Sequence, residues 1–422
     1  MSLTTTDLFA GGGGSSTGLA LAGIEVRMAA NHWDLAVSVH QANHPQAWHD
    51  QADLSQVDPR RYPQTSMAWM SPSCTHHSNA AGRTRAGDVH QGSLFDVDEG
   101  RPLPDEAAER SRATMWDVVR FSEFHRYPIV IVENVIEVTR WAPFPAWLQA
   151  MRSLGYAVEV ICHNSMHAQL AGLPAPQSRD RVYIAFWDRR LPRPAWEHAQ
   201  TPRAWCPRCE QLGDAVKAWK RPGNRIGRYR AQYLYVHQGC GTVVEPAWLP
   251  AATAIDWSLP AGRIGDRTRP LSAKTLTRIR EGLRRYALTA PRAGAGLLLP
   301  YYGAATGVLP TTDPLGTLTT VDRYALITLR GRNAPKPATA PLDTIAAGGL
   351  HHGLASTDSP RVEDCHFRML EPAECAAGMA FPDTYAWAGT KRERVRLAGN
   401  AVTPPVARDL GVIVRETLER AA

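Results

Sequence analysis

The first 187 residues alternate short apolar runs with stretches of helical periodicity, and this alternation most restricts the folds open to the chain. The first apolar run ends in four consecutive glycines, Gly11–Gly14, ahead of a helical stretch. Alternating strands and helices are typical of a mostly parallel sheet with helices on both faces. Such sheets bind ligands at the carboxyl ends of their strands, so the residues that follow each strand are the first candidates for a functional site.

The predicted strands are short apolar runs that end in polar residues or glycine. They are Thr4–Phe9, Val26–Ala30, Ser66–Met70, Ile129–Glu133, Ala157–His163 and Arg181–Trp187. The predicted helices lie between them, at Thr17–Ala22, Asp34–Asn43, Glu106–Arg126 and Pro145–Leu154.

Composition excludes several classes of protein. With 44% hydrophobic residues the chain can bury a core, and it contains no apolar run long enough to span a membrane. We also expect no signal peptide. Residues 189–236 hold eleven Lys or Arg against three acids, a net charge of +8, whereas the whole chain carries +7. This concentrated charge favours a surface that binds a polyanion, with a merely solvated basic face as the alternative.

The chain is predicted to divide into a catalytic domain, residues 1–187, and a second domain, residues 188–364. A Pro-rich linker, Leu191–Pro202, opens the second domain. Residues 365–422 return to the alternating style and are predicted to complete the first domain. Residues 82–104 are polar and too long for a compact connection, which indicates either a mobile active-site loop or a disordered insertion.

Two cysteine and histidine pairs lie in the second domain. Cys206 and Cys209 form a C-x-x-C pair, and His237 and Cys240 form an H-x-x-C pair after a basic, aromatic stretch. Two such pairs predict a tetrahedral structural zinc site within a ribbon over residues 204–243. A redox C-x-x-C is the competing interpretation, although it does not require the second pair.

Reactive side chains follow three of the predicted elements. Cys74 comes just after the strand ending at Met70, and Glu133 ends the strand that begins at Ile129. A lone cysteine is usually a buried structural thiol, but an acid at the end of an apolar run needs a partner or a task. Arg179 and Arg181 lie at the start of the predicted strand Arg181–Trp187, with Arg179 just before it, so three kinds of reactive side chain are expected at one edge of the sheet.

Together these segments resemble the DNA (cytosine-5)-methyltransferase family. The segments that resemble family motifs, most of them in the family's order, are Phe9-Ala10-Gly11-x-Gly13-Gly14, Cys74 with Ser78, Glu133-Asn134-Val135, Gln177-x-Arg179-x-Arg181, Arg368-Met369-Leu370 with Glu371 and Glu374, and Gly399-Asn400-Ala401-Val402. The resemblance covers residues 1–187 and 365–420, and the middle corresponds to a variable target-recognition region.

The resemblance implies an α/β fold: a Rossmann-like, S-adenosylmethionine-dependent methyltransferase sheet with a smaller target-recognition domain that contains the zinc ribbon. It implies that the thiolate of Cys74 attacks C6 of a flipped-out cytosine and that C5 receives a methyl group from S-adenosylmethionine. Glu133 would hydrogen-bond the base, and Arg179 and Arg181 would help to hold the base and its phosphate. Residues 82–104 would close over the site.

The same resemblance implies a set of residues that bind the methyl donor. They are Phe9, Ala10, Gly11, Gly13, Gly14, His32, Trp33, Asp53, Leu54, Pro72, Asn400 and Val402. Within this set, Trp33 is a candidate to stack on the adenine and Asp53 to accept from its amino group, with a core tryptophan and a surface aspartate as the alternatives. The chain departs from the family at His32, where an acid is usual, and at Ser73 and Thr75 beside Cys74, which leaves a modified donor open.

The implied partner is double-stranded DNA, bound by a monomer, with no membrane and with a restriction endonuclease as a further partner to consider. The implied location is cytoplasmic and nucleoid-associated, in a bacterium or a virus-infected cell. Three alternatives remain: an enzyme of the same fold acting on RNA, one transferring a different group to cytosine C5, and an inert zinc-ribbon DNA-binding protein.

Overall fold

The computed structural model describes residues 2–72, 106–282, 324–328, 336–337, 340–345, 352–356 and 361–422. Its central sheet has seven strands in the order β3-β2-β1-β4-β5-β7-β6, in which β7 runs antiparallel to both of its neighbours. These strands are β1 (Thr4–Leu8), β2 (Glu25–Asn31), β3 (Trp48–Gln51), β4 (Met67–Met70), β5 (Ile129–Asn134), β6 (Tyr156–Asn164) and β7 (Asp180–Asp188).

The six predicted strands are confirmed to within one residue at either end, and the sheet is mostly parallel, as expected. The strand β3 was not predicted. It lies at the edge of the sheet and its four residues are only partly buried, so it has no apolar run to reveal it.

Helices cover both faces of this sheet. The α-helices of the described ranges are α1 (Gly14–Leu21), α2 (Asp34–Asn43), α3 (Glu106–His125), α4 (Phe144–Ser153), α5 (Trp196–Ala199), α6 (Ala273–Gly282), α7 (Pro372–Gly378), α8 (Lys391–Asn400) and α9 (Pro404–Ala421). None of them is long and apolar enough to cross a membrane.

The core consists of two layers because β5 is apolar on both faces. Val130 and Val132 point to the layer formed with α3 and α4, where Trp147 is fully buried. Ile129 and Ile131 point to the opposite layer, to which α1 and α9 contribute. The C-terminal helix α9 therefore packs beside the first helix of the chain.

The second region contains two antiparallel sheets. The first, which we call the ribbon sheet, has the order β11-β10-β9-β8 and consists of β8 (Arg203–Cys206), β9 (Gln211–Trp219), β10 (Tyr233–His237) and β11 (Val243–Val244). The other has the order β12-β16-β15-β13-β14 and consists of β12 (Gly262–Arg263), β13 (Tyr324–Thr328), β14 (Lys336–Pro337), β15 (His352–Ser356) and β16 (His366–Met369). Since β16 belongs to this sheet, the residues after 364 contribute to both regions.

Candidate active site and metal cluster

The ends of the central strands bring most of the predicted site residues to one edge of the sheet. The strands β1, β2, β4 and β5 are parallel, so the residues that follow them meet at the same edge. The antiparallel β7 begins at this edge, because Asn134 at the end of β5 lies opposite Val182. The glycine loop, Glu133 and Arg181 therefore share one rim.

Glu133 and Arg181 form the central ion pair of this rim. The Nε of Arg181 lies 3.1 Å from Oε1 of Glu133, and the glutamate is only 8% exposed. Burial raises the pKa of Glu133, while the positive charges of Arg181 and Arg179 lower it. The net shift is upward, so this carboxyl group takes up a proton more readily than a free glutamate does.

Asn134 joins the ends of β4 and β5. Its Nδ2 donates to the carbonyl oxygen of Pro72 at 3.2 Å, while its Oδ1 accepts from the backbone N–H of Val135 at 2.8 Å. The segment that leads to Cys74 is thereby held beside Glu133. Cys74 itself, like residues 82–104, lies outside the described residues, so its predicted role stays a prediction.

Arg179 contacts backbone carbonyl groups from two distant segments. It is 2% exposed, its NH1 donates to Ile345 O at 3.0 Å, and its NH2 donates to Gly399 O at 3.1 Å and to Ala401 O at 3.0 Å. These bonds fasten the end of α8 to the start of β7. The predicted contact of Arg179 with a base stays a prediction.

Residues 340–345, which were not predicted to belong to the site, run along the segment that contains Gln177 and Arg179. Leu342 lies opposite Gln177 in a parallel bridge, Ser178 N donates to Leu342 O at 2.7 Å, and Leu342 N donates to Pro176 O at 3.0 Å. The available signal was the Pro-Leu-x-Thr-Ile pattern after Ala340, which gives no hint of its partner because the contact is long-range.

The glycine loop turns sharply between β1 and α1. A Cβ added to Gly14 would lie 1.9 Å from the carbonyl oxygen of Val402, so only glycine allows this approach. Phe9 has a φ of 60°, a left-handed conformation that a bulky residue adopts rarely and that is common at ligand sites. A Cβ at Gly11 would come no closer than 3.9 Å to any atom outside its immediate neighbours, so the backbone there is open to a ligand.

Tyr385 supports the loop from the other side and was also missed. Its hydroxyl donates to Gly12 O at 2.6 Å, and its ring packs with Phe381 and Trp387. The signal in the sequence was the aromatic spacing Phe381-x-x-x-Tyr385-x-Trp387 between α7 and α8.

A buried polar chain lies beneath the loop. Ser16 Oγ donates to Oδ2 of Asp7 at 2.7 Å, His40 Nε2 lies 2.9 Å from the same hydroxyl oxygen, and His40 Nδ1 lies 2.8 Å from His49 Nε2. Because the hydroxyl proton points to Asp7, His40 donates through Nε2 and accepts through Nδ1. Burial raises the pKa of Asp7 to about 6 and lowers the pKa of His40 well below its usual value.

The remaining donor-binding candidates differ in their surroundings. Trp33 is half-buried and packs against the core cluster of α2, α7 and α8, with the Arg396 guanidinium 4.5 Å from the centroid of its ring. Asp53 is exposed and caps its own turn by accepting from Ser55 N at 3.1 Å. His32 and Asn400 are exposed, whereas Leu54 and Val402 are buried.

The structure brings the four predicted metal ligands together. One ligand atom from each of Cys206, Cys209, His237 and Cys240 lies within 4.8 Å of the others. The His237 Nδ1 lies 3.3 Å from Cys240 Sγ and 3.7 Å from Cys209 Sγ, so Nδ1 is the nitrogen that faces the cluster. Its Nε2 packs against Gly213, where a Cβ would come within 2.2 Å. Three thiols and an imidazole are the donor set that tetrahedral zinc prefers.

Residues 189–236, which we call the basic segment, contain some cations that form ion pairs and others that do not. Several of its arginines form ion pairs, for example Arg230 with Glu245 at 3.0 Å. In the part of the chain that the structure describes, six of its cations form no ion pair: Arg189, Arg208, Lys217, Lys220, Arg221 and Arg225. Three of these lie in residues 220–232, the loop that connects β9 to β10.

Comparisons with known proteins agree with this architecture. The model of the family described as C-5 cytosine-specific DNA methylase matches residues 3–99, 104–211 and 331–414, together about two thirds of the chain. DNA (cytosine-5)-methyltransferases 2 and 4 of Arabidopsis thaliana are each 43% identical to the chain over 51 residues. That match spans 12% of this chain and only 3% of either relative.

Solved structures of similar fold include a prophage-encoded E. coli protein described as a DNA modification methyltransferase. It superposes with a TM-score of 0.52 at 17% identity, covering 99% of this chain and 100% of that one. The S. pombe Dnmt2 methyltransferase superposes with a TM-score of 0.53 at 14% identity, covering 99% of each chain.

The order of the central sheet and these neighbours define the class of protein. It is a mixed α/β fold with a parallel-rich central sheet, consistent with S-adenosylmethionine-dependent methyltransferases. Within that class, the chain belongs to the C-5 cytosine-specific DNA methylase family.

Proposed function

We propose that this protein methylates C5 of cytosine in double-stranded DNA. The observation that carries the proposal is the buried Glu133–Arg181 ion pair, 3.1 Å long, at the end of β5. The next residue, Asn134, bonds to Pro72, which precedes Cys74 by two residues in the chain. A buried carboxyl group with a raised pKa suits hydrogen bonding to the N3 and amino group of a flipped-out base.

The proposed reaction begins when the thiolate of Cys74 adds to C6, which makes C5 nucleophilic. Glu133 favours that attack by sharing a proton with N3, and Arg181 holds the carboxyl group in place. S-adenosylmethionine held at the open backbone of Gly11 would supply the methyl group to C5 and leave as S-adenosylhomocysteine. Loss of the C5 proton to a base then expels Cys74 from C6 and regenerates the thiolate.

The test is nucleoside mass spectrometry of DNA and RNA from cells that express the wild type, Cys74→Ala or Glu159→Gln, together with DNA binding by the purified proteins. Glu159→Gln is the control, on a half-buried acid of β6 that pairs with Arg193. We expect 5-methylcytosine with the wild type and the control, and its loss with Cys74→Ala. A cytosine derivative of different mass would refute methyl as the transferred group. Product confined to RNA would refute DNA as the substrate, and binding without any product would favour the inert DNA-binding alternative.

Double-stranded DNA is proposed as the partner because unpaired cations lie on the second region. Lys220, Arg221 and Arg225 are exposed and suited to phosphate contacts. We place the target-recognition domain at residues 188–364 and the catalytic domain at residues 1–187 with 365–422. We further propose a monomer on DNA, in a bacterial or virus-infected cell, with a restriction endonuclease as a partner to be sought.

The Cys206, Cys209, His237 and Cys240 cluster is proposed to bind structural zinc within a ribbon over residues 204–243. The convergence of the four donor atoms within 4.8 Å supports this proposal. Bound zinc would join two turns of a small sheet and so supply stability that its few apolar residues lack.

The zinc proposal is tested by elemental analysis of the purified protein, with Gly213→Ala and Gly262→Ala as a matched pair. We expect one zinc per chain in the wild type. The Gly213→Ala variant should lose zinc to a chelator at lower concentration, because the new methyl group displaces His237. Gly262 has open space around it and should behave as the wild type does. Wild-type protein purified without zinc, yet fully folded, would rule the site out.

A further inference from the structure

One loop of the ribbon sheet contacts both segments that carry the catalytic ion pair. The loop is residues 220–232, and we call it the β9–β10 loop. The guanidinium of Arg228 pairs with the carboxylate of Glu137, and the backbone N–H of Tyr229 donates to Oδ1 of Asp180 at 3.0 Å. The two contacts come from adjacent residues, so the loop binds both segments at once.

Both acids are close in the chain to the catalytic residues. Glu137 lies in the 3₁₀ turn Ile136–Arg140, which directly follows the end of β5 where Glu133 lies. Asp180 is the first residue of β7 and adjoins Arg181, whose NH1 donates to Asp180 O at 2.9 Å. A shift of the loop would therefore be transmitted to either side of the Glu133–Arg181 pair.

The contact with Glu137 is energetically demanding because Glu137 is only 7% exposed. A buried carboxylate that loses its cation must be solvated or neutralised, and removal of one partner from such a pair is strongly destabilising. The turn after β5 therefore depends on the position of Arg228.

Further bonds hold the base of the loop against the central sheet. The N–H of Gly227 donates to Cys162 Sγ at 3.4 Å, and Lys217 of β9 donates to Cys162 O and to Gln200 Oε1, the latter at 2.7 Å. Cys162 lies on β6, the strand next to β7. The loop is thus attached to β6, to β7 and to the turn that follows β5.

The metal cluster lies at the other end of the same hairpin. The strand β10 runs from Tyr233, beside the loop, to His237 in the cluster, and Tyr233 and His237 pair with Trp219 and Ala215 of β9. Four residue steps along a strand span about 14 Å. Metal bound at one end would stiffen the hairpin whose other end contacts the site.

We propose that the β9–β10 loop holds Glu133 and Arg181 in their catalytic geometry, with Arg228 and Tyr229 as positioning residues. This inference rests on the proposed function of the site. Since Arg228 belongs to the basic segment, a simple phosphate contact is the competing explanation, and the two explanations predict different kinetic effects.

The test compares Arg228→Met with wild type in single-turnover methyl transfer to genomic DNA from a host that lacks cytosine methylation. We expect the rate constant at saturating DNA to fall about 10- to 100-fold, the size of effect that follows from a small misplacement of catalytic groups. The dissociation constants for DNA and for S-adenosylmethionine should change less than about threefold. Arg60→Met is the matched control, because Arg60 is exposed and pairs with Asp58 of its own turn.

Weaker DNA binding with an unchanged saturated rate would overturn the inference, since that is the effect of a phosphate contact. The Glu137→Gln variant is a second test in case Arg228→Met misfolds. It removes the charge of the partner of Arg228, keeps the shape of the side chain and does not alter any phosphate contact. It should reproduce the rate defect, and the double variant should be no slower than the single ones. An inactive wild type would overturn the proposed function, whereas an active wild type with a normal Arg228→Met rate would overturn this inference alone.

Discussion

The Glu133 carboxylate and the Arg181 guanidinium meet across neighbouring antiparallel strands, Nε to Oε1, at 3.1 Å. Glu133 ends β5 and Arg181 starts β7, so their contact depends on the reversed direction of β7. If β7 ran parallel to β5, its start and Arg181 would lie at the opposite edge of the sheet. The reversed strand is thus what makes the ion pair.

Replacement of Glu133 by Gln should abolish most of the methyl transfer. Glutamine keeps the shape of the side chain and can still donate from its amide, but it cannot share a proton with N3, so we expect the saturated rate to fall about 100-fold or more. The protein should remain folded, because the amide oxygen of Gln can still accept a hydrogen bond from Arg181 Nε. Transfer of a labelled methyl group and thermal melting measure the two effects, and a normal rate would exclude Glu133 from the reaction.

The histidines beneath the glycine loop should make stability depend on pH. Burial lowers the pKa of His44 from 6.5 to about 4, and it also lowers the pKa values of His40 and His49. A depressed histidine pKa contributes stability that is complete above pH 6.5 and is lost as the pH falls towards the folded-state pKa. Asp7, with its pKa raised to about 6, makes stability rise as the pH falls from 6 to 4. Within this group of residues, however, the three histidines outnumber the single aspartate.

We therefore expect the free energy of unfolding to fall between pH 7 and pH 5. By pH 5, His44 contributes about 2 kcal/mol to this fall. Urea unfolding at several pH values measures the slope, which His44→Gln should flatten. The exposed His198→Gln variant is the control. An identical slope in His44→Gln and in the wild type would contradict the prediction.

Much of the central sheet could be predicted because its strands are apolar on both faces. The Ile-Val-Ile-Val run of β5 was found with nearly correct bounds for this reason. The helix Asp34–Asn43 was found from its helical periodicity. The Cys206 and His237 pairs carried their own spacing, so their convergence could be foreseen as well. Local pattern and spacing were enough for these features.

Contacts between distant segments could not be predicted. Tyr385 donates a hydrogen bond to Gly12, and Leu342 pairs with Gln177. The sequence around each of these residues does not indicate which distant residue it contacts. The antiparallel direction of β7 was equally hidden, because the burial pattern of a strand is the same in either direction. These features depend on the tertiary arrangement.

Alanine at Gly14 should separate α1 from the C-terminal segment. Its Cβ would lie 1.9 Å from Val402 O, so the glycine loop or the segment before α9 must shift. We expect a loss of stability of about 1–3 kcal/mol and weaker binding of S-adenosylmethionine. Thermal melting and calorimetric titration measure both effects. Gly262→Ala, in open space on β12, should change neither stability nor donor binding. If Gly14→Ala binds the donor as tightly as the wild type does, the glycine loop is not part of the donor site.

The exposed cations of the β9–β10 loop should determine how strongly DNA binding depends on salt. Lys220, Arg221 and Arg225 pair with no acid among the described residues, so each is available to neutralise a phosphate. Each phosphate contact contributes about 0.9 to the slope of log affinity against log salt. Replacement of all three by Gln should reduce the slope by up to about 3, with Arg415→Gln as the control. An unchanged slope would move the DNA-binding surface away from this loop, because contacts to base edges alone release few counterions.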